Sequence, residues 1–283
     1  MDKDNLMYQN ININNLILDD CIYKNKKFKV IISGGGLRAF YGIGCGFILK
    51  KFKSNITGIR VASAGCFGAL FLASGLDIDK IISAYKKLNN FYNNNKDLVS
   101  TIRSIIEDEF VPNNIADIMN DLNVEIVVNK LTQTGLVEET ISNFESREHL
   151  IKCIEASCCI PFISKKQYPY CIKIGESYYI DGAIMKICPV NYEKQINQLQ
   201  IHLYEINYNK FNFLPLDPNI NNLVSKGVFD MCAFLNSNFK NNIIVYTENA
   251  ILVPIIYKYT LLNIIYIICV FIGNLFTFFI SND

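Results

Sequence analysis

Histidine is scarce in this chain of 283 residues, with imidazoles only at His149 and His202. Two imidazoles leave little material for a histidine-based metal centre, and no metal-ligand spacing emerges around them. They also leave only two candidates for the base of a Ser-His-Asp triad. Ten cysteines run from Cys21 to Cys269 without a C-x-x-C pair, so they read as reduced, mostly buried small side chains. An excess of either charge is missing as well, with 27 basic against 26 acidic residues. No Lys/Arg block interleaved with stacking aromatics appears either, which argues against a nucleic-acid partner. The start, Met1-Asp2-Lys3-Asp4-Asn5, lacks the basic end and apolar run of a secretory signal, and the expectation is a cytosolic, reducing compartment for the globular part.

Apolar residues make up 51% of the chain, enough to bury one substantial core, so one domain with appendages fits better than two domains. Residues 1–27 form an Asn-rich N-terminal segment, residues 28–206 the main domain and residues 207–250 a polar, Asn-rich extension with Pro215 and Pro218 near its start. Phe28 to Ile32 is a short β-branched run that predicts a buried strand. A helix-tolerant stretch from Leu37 to Phe52 follows, then a strand over Ile56 to Val61 and a small-residue helix over Ala64 to Ala73. Asp77 can cap a helix whose apolar positions Ile78, Ile81, Ile82, Tyr85 and Leu88 share one face. Val124 to Val128 predicts a strand, Ser146 to Ser157 a helix, and Leu199 to Ile206 a strand. This alternation argues for an α/β fold with a mainly parallel sheet covered by helices.

Three motifs carry chemistry. Ser33-Gly34-Gly35-Gly36-Leu37-Arg38 lies at a strand-to-helix junction, where glycines let the backbone approach a ligand and N–H groups face negative charge. The same loop can be a plain tight turn, or a pyrophosphate cradle, although Ile59-Arg60-Val61 offers no acid at the end of the second strand for a ribose. Val61-Ala62-Ser63-Ala64-Gly65 sits where a nucleophile elbow exposes its serine, with Val61 two residues ahead of Ser63 where that turn usually has glycine. A serine capping the following helix is the other reading of this motif. Tyr179-Ile180-Asp181-Gly182-Ala183 places a carboxylate at the end of an apolar segment, although Asp-Gly often means only a turn.

In this order the three motifs resemble the patatin-like phospholipase family over about Phe28 to Val190. Two further stretches, Ile141 to Leu150 and Ala156 to Phe162, resemble the branch that contains adipose triglyceride lipase and adiponutrin. The resemblance implies a three-layer α/β/α fold and a Ser-Asp dyad that hydrolyses phospholipid or acylglycerol esters without histidine, metal or cofactor. On this reading Ser63 is the nucleophile and Asp181 the base. Gly34, Gly35 and Gly36 form the oxyanion hole, and Arg38, Gly65, Gly182 and Ala183 support the site. Ala39 and Ile187 depart from the family's glycine and asparagine, as Val61 departs from the elbow glycine. A catalytically inactive lipid-binding relative is the alternative that Val61 raises.

Residues 259–280 carry no charge, and about 20 apolar residues suffice to cross a bilayer core. With Lys258 at the near boundary, the expectation is a single-pass C-terminal anchor that leaves the hydrolase domain facing the cytosol. A buried or interfacial helix is the other reading. Either way the expected partners are membrane or lipid-droplet lipids.

Overall fold

The computed structural model describes residues 23–74, 80, 97–107, 112–162, 164–165, 168–190, 196–206, 220–237 and 243–247. The helix expected after Asp77, Pro215 and Pro218, and the apolar stretch 259–280 lie outside the described residues. Among those described, no helix is long and apolar enough to cross a membrane.

The apolar run after the N-terminal segment forms β1 (Phe28–Ile32), and helix α1 (Ala39–Leu49) follows between two short 3-10 turns. Next come β2 (Ile56–Ala62), α2 (Gly65–Ser74), α3 (Leu98–Ile105), α4 (Ile115–Asp121) and β3 (Val124–Thr132). The chain continues through β4 (Gly135–Ile141), α5 (Arg147–Ser157), β5 (Ile172–Ile174) and β6 (Ser177–Asp181). It then forms β7 (Gln198–Ile201), α6 (Ile220–Ser237) and β8 (Ile244–Thr247). Side chains start two helices as their sequences suggest. Asp97 accepts the Ser100 N–H at α3, and Ser146 accepts the His149 N–H at α5.

The strands make one mixed sheet in the order β5-β6-β3-β2-β1-β7-β8, with β4 added on β3. Its centre, β3-β2-β1-β7, is parallel, while β4, β6, β5 and β8 join antiparallel. The expected α/β architecture is therefore present, with a parallel centre and antiparallel margins. The strand expected over Leu199–Ile206 ends at Ile201, because the Ser33 hydroxyl accepts the Leu203 N–H and turns the chain away. The polar stretch after residue 206 contains α6, whose buried Leu223, Val224, Val228, Met231, Cys232 and Leu235 fall at helical spacing.

One face of the sheet is apolar. Val30 and Ile32, Ile59 and Val61, Ile126 and Val128, and Leu199 and Ile201 join the described helices in one continuous core. The opposite face is polar at its centre. Lys29 Nζ lies 2.8 Å from Glu125 Oε1, Arg60 Nη1 lies 2.8 Å from Glu125 Oε2, and Arg60 Nη2 lies 3.2 Å from Glu138 Oε1. Burial acts to raise the Glu125 pKa, but the two cations outweigh it and hold the carboxyl below its ordinary value. Among the described residues the helices cover the apolar face, and the second helical layer of the expected sandwich is not among them.

Helix α1 packs between α2 and α6 at very close range. A Cβ on Gly44 would stand 2.2 Å from the Val224 carbonyl oxygen, and one on Gly227 would stand 2.2 Å from that of Tyr41. Side chains at these two positions would hold the helices apart. Gly227→Val should therefore cost about 1–3 kcal/mol of stability through overpacking, read as a fall of several degrees in Tm by thermal denaturation.

Candidate active site

Strand β3 explains how two residues 118 positions apart come together. Val128 pairs with Glu139 of β4 and with Asp181 of β6, so β4 and β6 occupy opposite edges of β3. Ile126 likewise pairs with Ile141 of β4 and with Val61 of β2, which puts β2 on the same edge as β6. That edge is thus shared end to end. The C-terminal end of β2 stops at Ala62 opposite Val127, and the C-terminal end of β6 stops at Asp181 opposite Val128.

Ser63 follows β2 directly and takes a left-handed backbone with φ of 51°, a conformation rarely seen outside glycine and characteristic of a sharp elbow. Its Oγ donates to Asp181 Oδ2 at 2.6 Å. Asp181 is 1% exposed. Burial pushes its carboxyl pKa from 3.8 up to about 7, against the lowering effect of hydrogen bonds from the Ser63 hydroxyl and the Ala183 N–H. The Ala183 N–H donates to Oδ1 at 2.7 Å, and Asn129 Nδ2 donates to the Asp181 backbone carbonyl at 2.6 Å. A carboxyl of this kind can take a proton near neutrality from the hydroxyl that it touches.

The glycine loop lies against this pair. A Cβ on Gly34 would meet the Ala183 Cβ at 2.4 Å and the Ser63 Cβ at 3.4 Å, so only glycine permits the approach. The Gly34 N–H donates to the Ile187 carbonyl at 2.9 Å. Gly34 therefore spaces the loop, and its N–H, expected among the oxyanion donors, is bonded within the protein. Gly36 has φ of 59° and leads through Leu37 and Arg38 into α1, and the Arg38 N–H donates to the Gly35 carbonyl. Gly65 packs under the elbow, where a Cβ would stand 2.4 Å from the Ile32 carbonyl oxygen. Gly182 lies over Val127, whose carbonyl oxygen would be 2.0 Å from an added Cβ.

The departures from the family pattern have local explanations. Val61 is fully buried in the main core, its side chain turned to the helical face, and the elbow forms beyond it. Ile187 contributes its backbone carbonyl to Gly34, a bond that any residue could supply. Ala39 is buried at the start of α1.

Neither histidine joins the pair. The His149 Nδ1 accepts the Glu145 N–H at the start of α5, eight residues or about 12 Å along the helix from Ser157. His202 is buried at the end of β7, with Nδ1 2.9 Å from the Tyr204 hydroxyl, and burial lowers its pKa to about 4. Among the described residues no cluster of His, Cys, Asp and Glu could hold a metal ion. Sequence reading missed Asn129 and Ser157. Ser157 Oγ accepts the Ser63 N–H at 2.9 Å and donates to the Val127 carbonyl at 2.7 Å. A serine at the end of a helix gives no sign of such a contact, which follows from the sheet register.

Residues 30–192 match the family model described as Patatin-like phospholipase. A comparison with curated proteins gave no match. The matched span exceeds half of the chain and contains the glycine loop, the Ser63 elbow and Asp181. The chain belongs to the patatin-like phospholipase family.

Proposed function

We propose that this protein hydrolyses lipid acyl esters with Ser63 as nucleophile and Asp181 as base. The observation that carries the reading is the 2.6 Å hydrogen bond from Ser63 Oγ to a buried carboxylate, made from a left-handed elbow. Asp181 Oδ2 takes the hydroxyl proton as Oγ attacks the acyl carbonyl carbon. The negative charge that forms on the carbonyl oxygen meets the N–H groups of Gly35 and Gly36, with Gly34 holding the loop in reach. Collapse of the tetrahedral intermediate breaks the ester bond, and Asp181 returns its proton to the departing alcohol. In the second half Asp181 deprotonates a water, which attacks the acyl-enzyme and releases the fatty acid and the free Ser63 hydroxyl. The backbone of Arg38 closes the glycine loop onto Gly35, and its cation adds positive field at the mouth of α1.

The segments Ile141–Leu150 and Ala156–Phe162 support the adipose triglyceride lipase and adiponutrin branch, hence phospholipid or acylglycerol substrates. The three-layer α/β/α form of the family belongs to the same reading. So does the uncharged stretch 259–280, which we propose as a C-terminal membrane anchor that places the hydrolase on a lipid surface and raises the local substrate concentration.

With mixed phospholipid and triacylglycerol vesicles, the wild type should release fatty acid, while folded Ser63→Ala and Asp181→Asn should lose about a thousandfold or more of kcat. Equal release by the wild type and both variants sinks the dyad. The carboxylate form of Asp181 is the active one, so kcat/KM should climb with pH to a plateau, with its midpoint near the carboxyl's value of about 7.

Stability runs the other way. Between 3.8 and about 7 the unfolded chain has ionised this carboxyl and the folded chain has not, so stability falls as pH rises through that window and is level above it. Asp181→Asn escapes the loss, and its Tm should exceed that of the wild type at pH 8 while matching it near pH 4. Carbonate washing should leave the full chain in the membrane and release a chain ending at Tyr257; release of both refutes the anchor.

A further inference from the structure

The C-terminal end of α5 grips both halves of the dyad. Ser157, fully buried, accepts the Ser63 N–H on its Oγ at 2.9 Å and donates its own hydroxyl to the Val127 carbonyl in a hydrogen bond of 2.7 Å. Its backbone carbonyl accepts the Gly182 N–H at 3.3 Å, and the Cys159 carbonyl accepts the Asp181 N–H at 2.9 Å. A serine late in a helix ordinarily bonds back to its own preceding turn or to water. Here the side chain leaves its helix and bridges the tip of β2 to the β3 carbonyl that faces the junction with β6. The left-handed backbone at Ser63 is one that a serine holds only when its surroundings over-determine it, and the Ser157 hydroxyl is the side chain that bonds that backbone.

We propose that Ser157 is a positioning residue that holds Ser63 in its elbow, within hydrogen-bond distance of Asp181. The inference rests on the reading of Ser63 and Asp181 as the reacting pair. Ser157→Ala leaves two buried groups, the Ser63 N–H and the Val127 carbonyl, without their partner. Ser63 then relaxes and its hydroxyl swings away from Asp181. That hydroxyl is one of the two bonds that oppose the effect of burial on the carboxyl, so its loss moves the Asp181 midpoint to higher pH.

The expected result for Ser157→Ala is a fall in kcat of about ten- to a hundredfold with KM held within about twofold, because substrate binding is untouched and the reacting geometry is not. The midpoint of the pH–rate profile rises by at least about half a unit. Ser157→Thr, which retains a hydroxyl, recovers most of both. Ser164 supplies the comparison: it is fully buried, and its Oγ bonds within the same turn, to the Cys158 and Ile160 carbonyls. Ser164→Ala should lose stability and keep the wild-type midpoint.

A folded Ser157→Ala with wild-type kcat and midpoint overturns the proposal, as does a Ser164→Ala that shifts the midpoint equally. Should Ser157→Ala not fold, Ser157→Thr against Ser157→Cys decides, since both add bulk and only threonine keeps a strong donor; equal kcat and equal midpoints overturn the proposal. Carbon-13 NMR titration of the Asp181 carboxyl reads the same midpoint with no substrate present. A wild type silent on every lipid would thus refute the hydrolase reading and leave the positioning inference to be decided by the titration.

Discussion

Everything at the site depends on one edge of β3 being shared by two strands that arrive from opposite directions. Strand β2 comes in parallel and β6 antiparallel, and their C-terminal ends meet opposite Val127 and Val128. Side chains that leave those ends are neighbours by construction, whatever the chain does between them. Four described helices and the strands β3, β4 and β5 can therefore intervene between Ser63 and Asp181 without entering into the distance that separates them. The junction also interrupts the regular ladder, and the gap is filled by groups that a continuous sheet would exclude: the Ser157 hydroxyl on the Val127 carbonyl, and Gly182 lying over the same oxygen.

The electrostatics follow from that arrangement. The Asp181 carboxyl at the end of an internal strand is buried from solvent, and among the described residues two hydrogen bonds compensate its charge. Burial wins against them, and the group titrates near neutrality. A more generous set of donors would give a more stable protein and a weaker base. The same balance makes the serine hydroxyl a stabilising partner of the carboxylate and, in the reaction we propose, its proton source.

Much of this was legible in the sequence. Glycines after an apolar β-branched run, a serine framed by small residues after the next strand, and an Asp-Gly-Ala downstream pointed to three places that the fold brings together, because local backbone demands and residue size are written locally. The antiparallel margins were not legible. Strand β3 continues through Asn129 and Lys130, which look like a loop until Asn129 is seen bonded to the Asp181 carbonyl and Lys130 paired with Tyr179. Helix α6 was hidden by Asn221, Asn222 and Asn236 around a regular apolar spacing. The engagement of the Gly34 N–H by the Ile187 carbonyl depends on a residue 153 positions away. Such pairings exist only after the sheet has closed.

The ionic run across the polar face has a consequence for how that sheet closes. Lys29, Arg60, Glu125 and Glu138 come from four different strands, and their charges match only in the native alignment. If β2 slid along β3 by one residue, Arg60 would leave Glu125 and turn into the apolar layer, at the cost of a buried unpaired charge. The same slip would carry Ser63 about 3.3 Å along the strand, beyond hydrogen-bond range of Asp181. The ladder thus acts as an error check during assembly: a chain that has satisfied its charges has also aligned Ser63 with Asp181.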